Sequence, residues 1–344
     1  MRIAVVNTQV PFIRGGAEQL AQWLVDKLRE YGHRAELVSL PFRWDPMQKL
    51  LEHALAARLM RIADVDRVIG FKFPSYYIPH DDKVLWVLHH FKPAYDHWGT
   101  AYGLPDTAEG RYVRGAIVQA DNRVLAEARR VYVLSHVVAR RLRAFNDVES
   151  TVLYPPVGDE QSYYCGELGN YVFFPSRINP IKRQALAVEA MRHVTSDVRL
   201  VIAGDADIRR PDVDELSKLV ADPRVHGRVK LLAGWLPERR KLELLANCLG
   251  VLFPPLDEDY GYVTLEGFLA CKPVITCTDS GGPLELVEDG ISGWVAEPDP
   301  RSIAEAIDRL AAERDRAVRM GVNGRERVQE LGISWKHVVE ELTA

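Results

Sequence analysis

The strongest constraint in this chain is a rhythm: short, fully apolar runs alternate with stretches of helical periodicity from one end to the other. Runs of this kind, bounded by turn residues, read as strands buried on both faces, and such strands belong to parallel sheets flanked by helices. IAVVN at 3–7 is the first. A helix from Ala17 to Tyr31 follows, with Leu20, Trp23, Leu24 and Leu28 on one face and Gly32 as its stop. AELVSL, VDRVIGF, KVLWVLH and RRVYVLS continue the strands, with helices near 111–127 and 137–145. The rhythm breaks over 151–170, which holds two prolines and three glycines. YVFFPSR then opens a second series: VRLVIAG, VKLLAGW, GVLFPP, KPVITC and GWVAE.

The expected architecture is α/β: two Rossmann-like domains facing each other across a cleft. Their bounds read as 1–157, a linker at 158–170, a second domain at 171–330 and a C-terminal helix at 331–344. That last helix either packs on the second domain or crosses back to the first. In open parallel sheets, ligands bind beyond the carboxyl ends of the strands, so loops that follow strands are where chemistry is sought.

A length of 344 residues suits two domains. The formal net charge of -4 argues against a nucleic-acid partner. MRIAVVNTQVPF reads as a strand broken by Pro11, not a signal peptide, and no run of about twenty apolar residues occurs, so a cytoplasmic location is expected. Cys165, Cys248, Cys271 and Cys277 contain no CxxC pair, and reduced core thiols are expected. Several DxD triplets (64/66, 205/207, 212/214, 257/259) read as solvated loops, and no metal site is expected.

Three strand-to-helix junctions carry most of the chemistry. In FPPLDEDYGYVTLEGFLACKPVIT, 253–276, an acidic loop leads into a helix starting near Val263. Free N–H groups and the helix dipole suit a diphosphate there, Gly261 admits a close ligand, Glu266 suits a ribose diol and Glu258 a sugar hydroxyl. Helix-end electrostatics and a solvated acid explain the two glutamates equally well. In FPSRINPIKRQAL, 174–186, Arg177 and Lys182 flank Pro180 and suit a diphosphate clamp that would stabilise charge on a leaving group. RGGAE at 14–18 places Gly15 and Gly16 ahead of the first helix, a weak phosphate- or sugar-loop signal that a tight turn also explains. In the first half, His89 and His90 end a strand, where an imidazole suits sugar hydroxyls. Eight arginines between 111 and 143 form a basic face suited to an anionic acceptor or a peripheral membrane contact, with a plain solvated helix face as the simpler account.

These elements occur in one order, and the chain resembles the retaining, nucleotide-sugar-dependent glycosyltransferases of the GT-B fold, glycosyltransferase family four. EDYGYVTLEGFLACKPVI is similar to the family's acidic loop-helix motif with two glutamates eight positions apart; RGGAE, SRINPIK and DSGGPLELVEDGISGWV support it. The resemblance implies a nucleotide-diphosphate sugar donor, a saccharide, lipid-linked or small-molecule acceptor, retention of configuration, and no cofactor or required metal. It implies that Glu266 binds the ribose and Glu258 the transferred sugar. Gly261 and Tyr262 would offer backbone contacts to the sugar, with Val263 and Thr264 near the diphosphate. Arg177 and Lys182 would hold the phosphates, Gly15 and Gly16 would approach the donor, and His89 would be the active-site histidine. Lys272, standing where relatives often carry glycine, and the bulky Tyr260 and Tyr262 depart from the pattern. A non-catalytic nucleotide-sugar binding subunit and a nucleotide-sugar epimerase are the competing functions. The missing GxGxxG counts against a nicotinamide enzyme.

Overall fold

The computed structural model describes residues 1–11, 15–205 and 211–344. Arg14 of the RGGAE run and Asp207 of a DxD triplet lie outside them. The chain divides into two compact units, Met1–Gly158 with Ile333–Ala344, and Asp159–Gly332.

The first unit is built on β1 (Arg2–Gln9), β2 (Arg34–Pro41), β3 (Arg67–Gly70), β4 (Lys83–Val87), β5 (Arg130–Val133) and β6 (Thr151–Val152), in the spatial order β2-β1-β3-β4-β5-β6. The second has β7 (Tyr171–Pro175), β8 (Arg199–Gly204), β9 (Val229–Ala233), β10 (Gly250–Leu252), β11 (Val274–Cys277) and β12 (Gly293–Ala296), in the order β12-β11-β10-β7-β8-β9. Every pairing between these strands is parallel.

The registers explain why the strands are apolar throughout rather than alternating. Val5 lies between Leu37 and Ile69, and Phe173 between Val201 and Val251. Helices cover both faces, so Val5, Ile69, Phe173 and Val251 are buried, each worth about 1.5–3 kcal/mol of apolar transfer.

The helix Lys49–Leu59 has no counterpart in the sequence reading. Leu50, Ala54 and Ala57 face inward while Leu55 and Leu59 are exposed, so apolar residues surround the helix and leave no period to detect.

The helix Trp335–Thr343 belongs to the first unit. Trp335 Nε1 donates to Val157 O (2.7 Å), Arg67 Nη1 to Leu342 O (2.8 Å) and the Tyr132 hydroxyl to Glu341 Oε2 (2.9 Å). Residues 159–170, expected as linker, pack into the second unit: buried Lys272 donates to Gly166 O (3.0 Å) and Glu167 O (3.3 Å).

One cysteine expectation is corrected. Cys165 and Cys271 form a disulfide across 106 residues, a separation that leaves no spacing signal in the sequence. Cys248 and Cys277 are free and buried, and burial pushes both thiols up to about 12, as suits inert core groups. No helix among the described residues is long and apolar enough to cross a membrane.

Candidate active site

The second sheet reverses its winding at its first strand: β7 sits between β10 and β8. The crevice at the carboxyl ends of β7 and β10 is therefore the topological switch point, where ligands bind in such sheets. The basic loop after β7 carries Arg177 and Lys182, and the acidic loop after β10 carries Glu258 and leads to Glu266. Adjacent strands thus deliver both groups to one edge.

The basic loop is built locally. Asn179 Oδ1 accepts from Lys182 N (3.0 Å), capping a short turn that Pro180 opens, and Gln184 Nε2 donates to Arg177 O (2.8 Å). Leu256 N donates to Ile181 O (2.8 Å), which joins this loop to the acidic one. Lys182 forms an ion pair with Glu258 and lies 5.4 Å from the Phe253 ring centre. Arg177 is exposed at the end of β7.

The acidic loop rests on the glycines of DSGGP. Glu258 N donates to Ser280 O (3.0 Å) and Gly282 N to Glu258 O (2.8 Å). A Cβ on Gly281 would lie 2.5 Å from Glu258 O, and one on Gly282 would lie 2.6 Å from Tyr260 Cα, so only glycine admits this approach. Arg183 fixes the supporting turn through two bonds to Asp279, 2.7 and 2.6 Å.

The helix itself is Tyr262–Leu269, one residue earlier than the sequence suggested, with Gly261 as its N-cap at φ +91°. Thr264 Oγ1, in the first turn, is buried without a hydrogen-bond partner among the described residues. Glu266, one turn on, is buried, and its Oε1 accepts from Lys241 Nζ (2.8 Å) and from the Tyr163 hydroxyl (3.1 Å). Burial alone would lower the pKa of the Lys241 ammonium, but Glu266 and Glu238 outweigh it and hold the group charged. Burial first, and then the Glu266 charge, raise the pKa values of Tyr163 and Tyr262, so both stay neutral donors.

The structure therefore joins Lys182 to Glu258 directly, sets Arg177 on the same loop, and puts Gly261, Tyr262, Val263, Thr264 and Glu266 on the helix that the acidic loop starts. Sequence reasoning missed Tyr163, Lys241, Arg183 and Asp279. The DSGGP run was the only signal pointing to that support, because a lysine on a helix and a tyrosine in a loop have no spacing that marks them. Cys271 takes the left-handed backbone after the helix (φ +54°), and Lys272 is spent on the 166–167 carbonyls.

In the first unit, Gly15 is the N-cap and Gly16 the first residue of the helix Gly16–Glu30. Gly15 N donates to Glu18 Oε2 (2.8 Å), and Lys72 pairs with Glu18 (2.7 Å). His89 and His90 differ sharply. His90 is buried against Tyr95 and pairs through Nε2 with Asp96, a structural role. His89 is half-buried just past β4, with its Nδ1 2.7 Å from His90 O. Asp121, in the helix Ala108–Leu125, is buried and accepts from Tyr76, Tyr77 and Tyr95 at 3.0, 2.8 and 2.6 Å; burial dominates and pushes its pKa to about 6.

The basic face of 111–143 is largely spent inside the unit. Arg111 pairs with Asp106, Arg129 with Asp82, Arg141 with Asp96 and Arg143 with Asp147 and Glu149, while Arg114 donates to Ala94 O and lies over Trp98. Asp82 and Asp96, distant in sequence, and Asp106, Asp147 and Glu149, nearby in it, thus take up part of the charge, while Arg123 and Arg140 are exposed. Among the described residues, no group of three or more His, Cys, Asp or Glu is placed to hold a metal ion.

Residues 166–327 match the family model for glycosyl transferases group 1. The chain is similar to the alpha-1,3/1,6-mannosyltransferase of Homo sapiens, at 32% identity over 216 residues, 56% of this chain and 51% of that protein. It spans about half the length of the curated relatives it matches. Its fold is that of the sucrose-phosphate synthase of Thermosynechococcus elongatus (TM-score 0.79, 18% identity, 99% of this chain and 97% of that one). The fold also matches HepE of Anabaena, solved in complex with UDP and glucose (TM-score 0.71, 17% identity, 100% and 99%).

Proposed function

We propose, from the premise that this chain belongs to the glycosyl transferases group 1 family through residues 166–327, that it is a retaining glycosyltransferase. It moves a sugar from a nucleotide-diphosphate donor to an acceptor hydroxyl. The observation that carries this reading is the meeting of a basic loop and an acidic loop-helix at the β7–β10 switch point, fastened by the Lys182–Glu258 pair.

Arg177, Lys182 and the N–H groups at the start of Tyr262–Leu269 take the diphosphate. Their main catalytic term is stabilisation of the charge that grows on the leaving nucleoside diphosphate. Thr264 Oγ1 adds a hydroxyl with no competing partner among the described residues. Glu266 takes the ribose and Glu258 the transferred sugar. Each of these acids is ion-paired with a lysine, which supports a same-face displacement over a lone carboxylate nucleophile. In that displacement the acceptor hydroxyl forms the new glycosidic bond as the bond to the diphosphate breaks, and a donor phosphate oxygen takes the proton. Cations in the protein serve the leaving group, so we assign the reaction no cofactor and no required metal. The test of that assignment is undiminished turnover in EDTA.

The carboxyl edge of the first sheet, with His89, is assigned to the acceptor, which is a saccharide, a lipid-linked saccharide or a small molecule. UDP- and GDP-sugars are the proposed donors; UDP is the nucleotide in the HepE complex. A cytoplasmic setting with peripheral membrane contact through Arg123 and Arg140, exposed in the 111–143 stretch, completes the reading. Its check is salt-sensitive binding to anionic vesicles that is lost in R123E/R140E.

A thermal-shift panel of nucleotide-sugars tests the donor assignment. At a hundred times Kd, one donor class stabilises the protein by about 3 kcal/mol, and Glu266→Ala and Arg177→Ala each remove most of that. Equal stabilisation in both variants refutes the site.

A further inference from the structure

Glu266 is reached from three separate segments. Tyr163 precedes β7, Lys241 is the fourth residue of the helix Glu238–Ala246, and Glu266 itself sits in Tyr262–Leu269. Tyr163 and Glu266 are both 8% exposed. Both hydrogen bonds fall on one oxygen, Oε1. Oε2 accepts none among the described residues. Lys241 also pairs with Glu238 (3.0 Å), so a single ammonium stands between two carboxylates.

We propose that Lys241 and Tyr163 are positioning residues. They lock Glu266 by Oε1 and present Oε2 to a vicinal diol, the ribose of a nucleoside diphosphate. The inference rests on the reading of this site given above.

The geometry favours it for three reasons. A carboxylate turns easily about its last bond, and its two oxygens are otherwise equivalent acceptors. Two donors on one oxygen remove that freedom and leave the second oxygen with a fixed direction. A buried carboxylate also needs a partner for its charge, and Lys241 provides it through Oε1, 2.8 Å away, leaving Oε2 without a hydrogen bond among the described residues. Finally, Tyr163 reaches the site from the segment that Cys165–Cys271 fastens to the end of the Glu266 helix, so the hydroxyl and the carboxylate are held by one covalent frame.

Calorimetric titration with UDP, GDP and their 2′,3′-dideoxy counterparts tests the assignment. The proteins are the wild type, Tyr163→Phe, Lys241→Met, Lys241→Arg and Glu266→Gln. The wild type binds one ribose form at least about tenfold tighter than its dideoxy form, the discrimination expected of hydrogen bonds to a charged group. Y163F and K241M lose most of that ratio with the dideoxy affinity unchanged, and K241R restores part of it. Should K241M melt, Y163F decides alone, since it removes one hydroxyl and no packing. If both variants keep the wild-type ratio while E266Q loses it, the pair has no positioning role and the inference fails by itself. If the wild type binds neither nucleotide, or binds ribose and dideoxy forms alike, the reading of the site fails and takes the inference with it.

Discussion

Gly281→Ala offers a direct test of how the acidic loop is held. Gly281 has φ +74°, and a Cβ there would lie 2.5 Å from Glu258 O and 3.1 Å from Glu258 N. The left-handed backbone alone costs an alanine about 1–2 kcal/mol. The overlap is with backbone, which cannot rotate away, so the loop must retreat by roughly 1 Å to reach ordinary contact, at a further cost of about 1–3 kcal/mol. That movement stretches the bonds from Glu258 N to Ser280 O and from Gly282 N to Glu258 O, and it draws Glu258 off Lys182. Gly227→Ala is the control: its φ is +78° with nothing within 4 Å of the added Cβ, so it has the backbone strain without the overlap. In urea denaturation G281A should lose about 1–3 kcal/mol more than G227A. Release of nucleoside diphosphate from the donor that the wild type binds should fall about a hundredfold in G281A, as a 1 Å misplacement near the chemistry does, and stay unchanged in G227A. If G281A keeps wild-type turnover, or is no less stable than G227A, the reasoning about this loop is wrong.

Three further expectations follow from the first unit, the disulfide and the clamp. The Asp121 pKa is raised from 3.8 to about 6, so between those values the folded state binds a proton that the unfolded state has released, and stability falls as pH rises. Wild type minus Asp121→Asn stability should drop by about 2 kcal/mol from pH 4 to pH 7; a flat difference refutes the assignment. Cys165→Ser opens a closure of 106 residues and should cost roughly 4 kcal/mol under oxidising conditions, and much less in excess dithiol, by denaturation midpoint. Lys182→Ala leaves Glu258 without its partner at the diphosphate subsite and should weaken UDP or GDP binding on the order of tenfold or more; titration showing no loss excludes Lys182 from the clamp.

What the sequence determined by itself is the kind of sheet and the place of the loops. Apolar runs such as IAVVN and YVFFP are long enough to be strands and too uniformly apolar to face water, which forces parallel sheets with helices on both sides. From that alone, Arg177, Lys182, Glu258 and His89 fall at carboxyl ends of strands. Tertiary structure decided which groups meet. The strand order that puts β7 beside β10 is a long-range choice, and it turns two loops about seventy residues apart in the chain into one site. The same holds for Lys241 and Tyr163 on Glu266, for the Cys165–Cys271 bridge, and for Asp82 and Asp96, which pair with Arg129 and Arg141. Local sequence sets backbone propensity and which faces are apolar; pairing between charged or sulfur-bearing side chains depends on distances that only the folded chain defines.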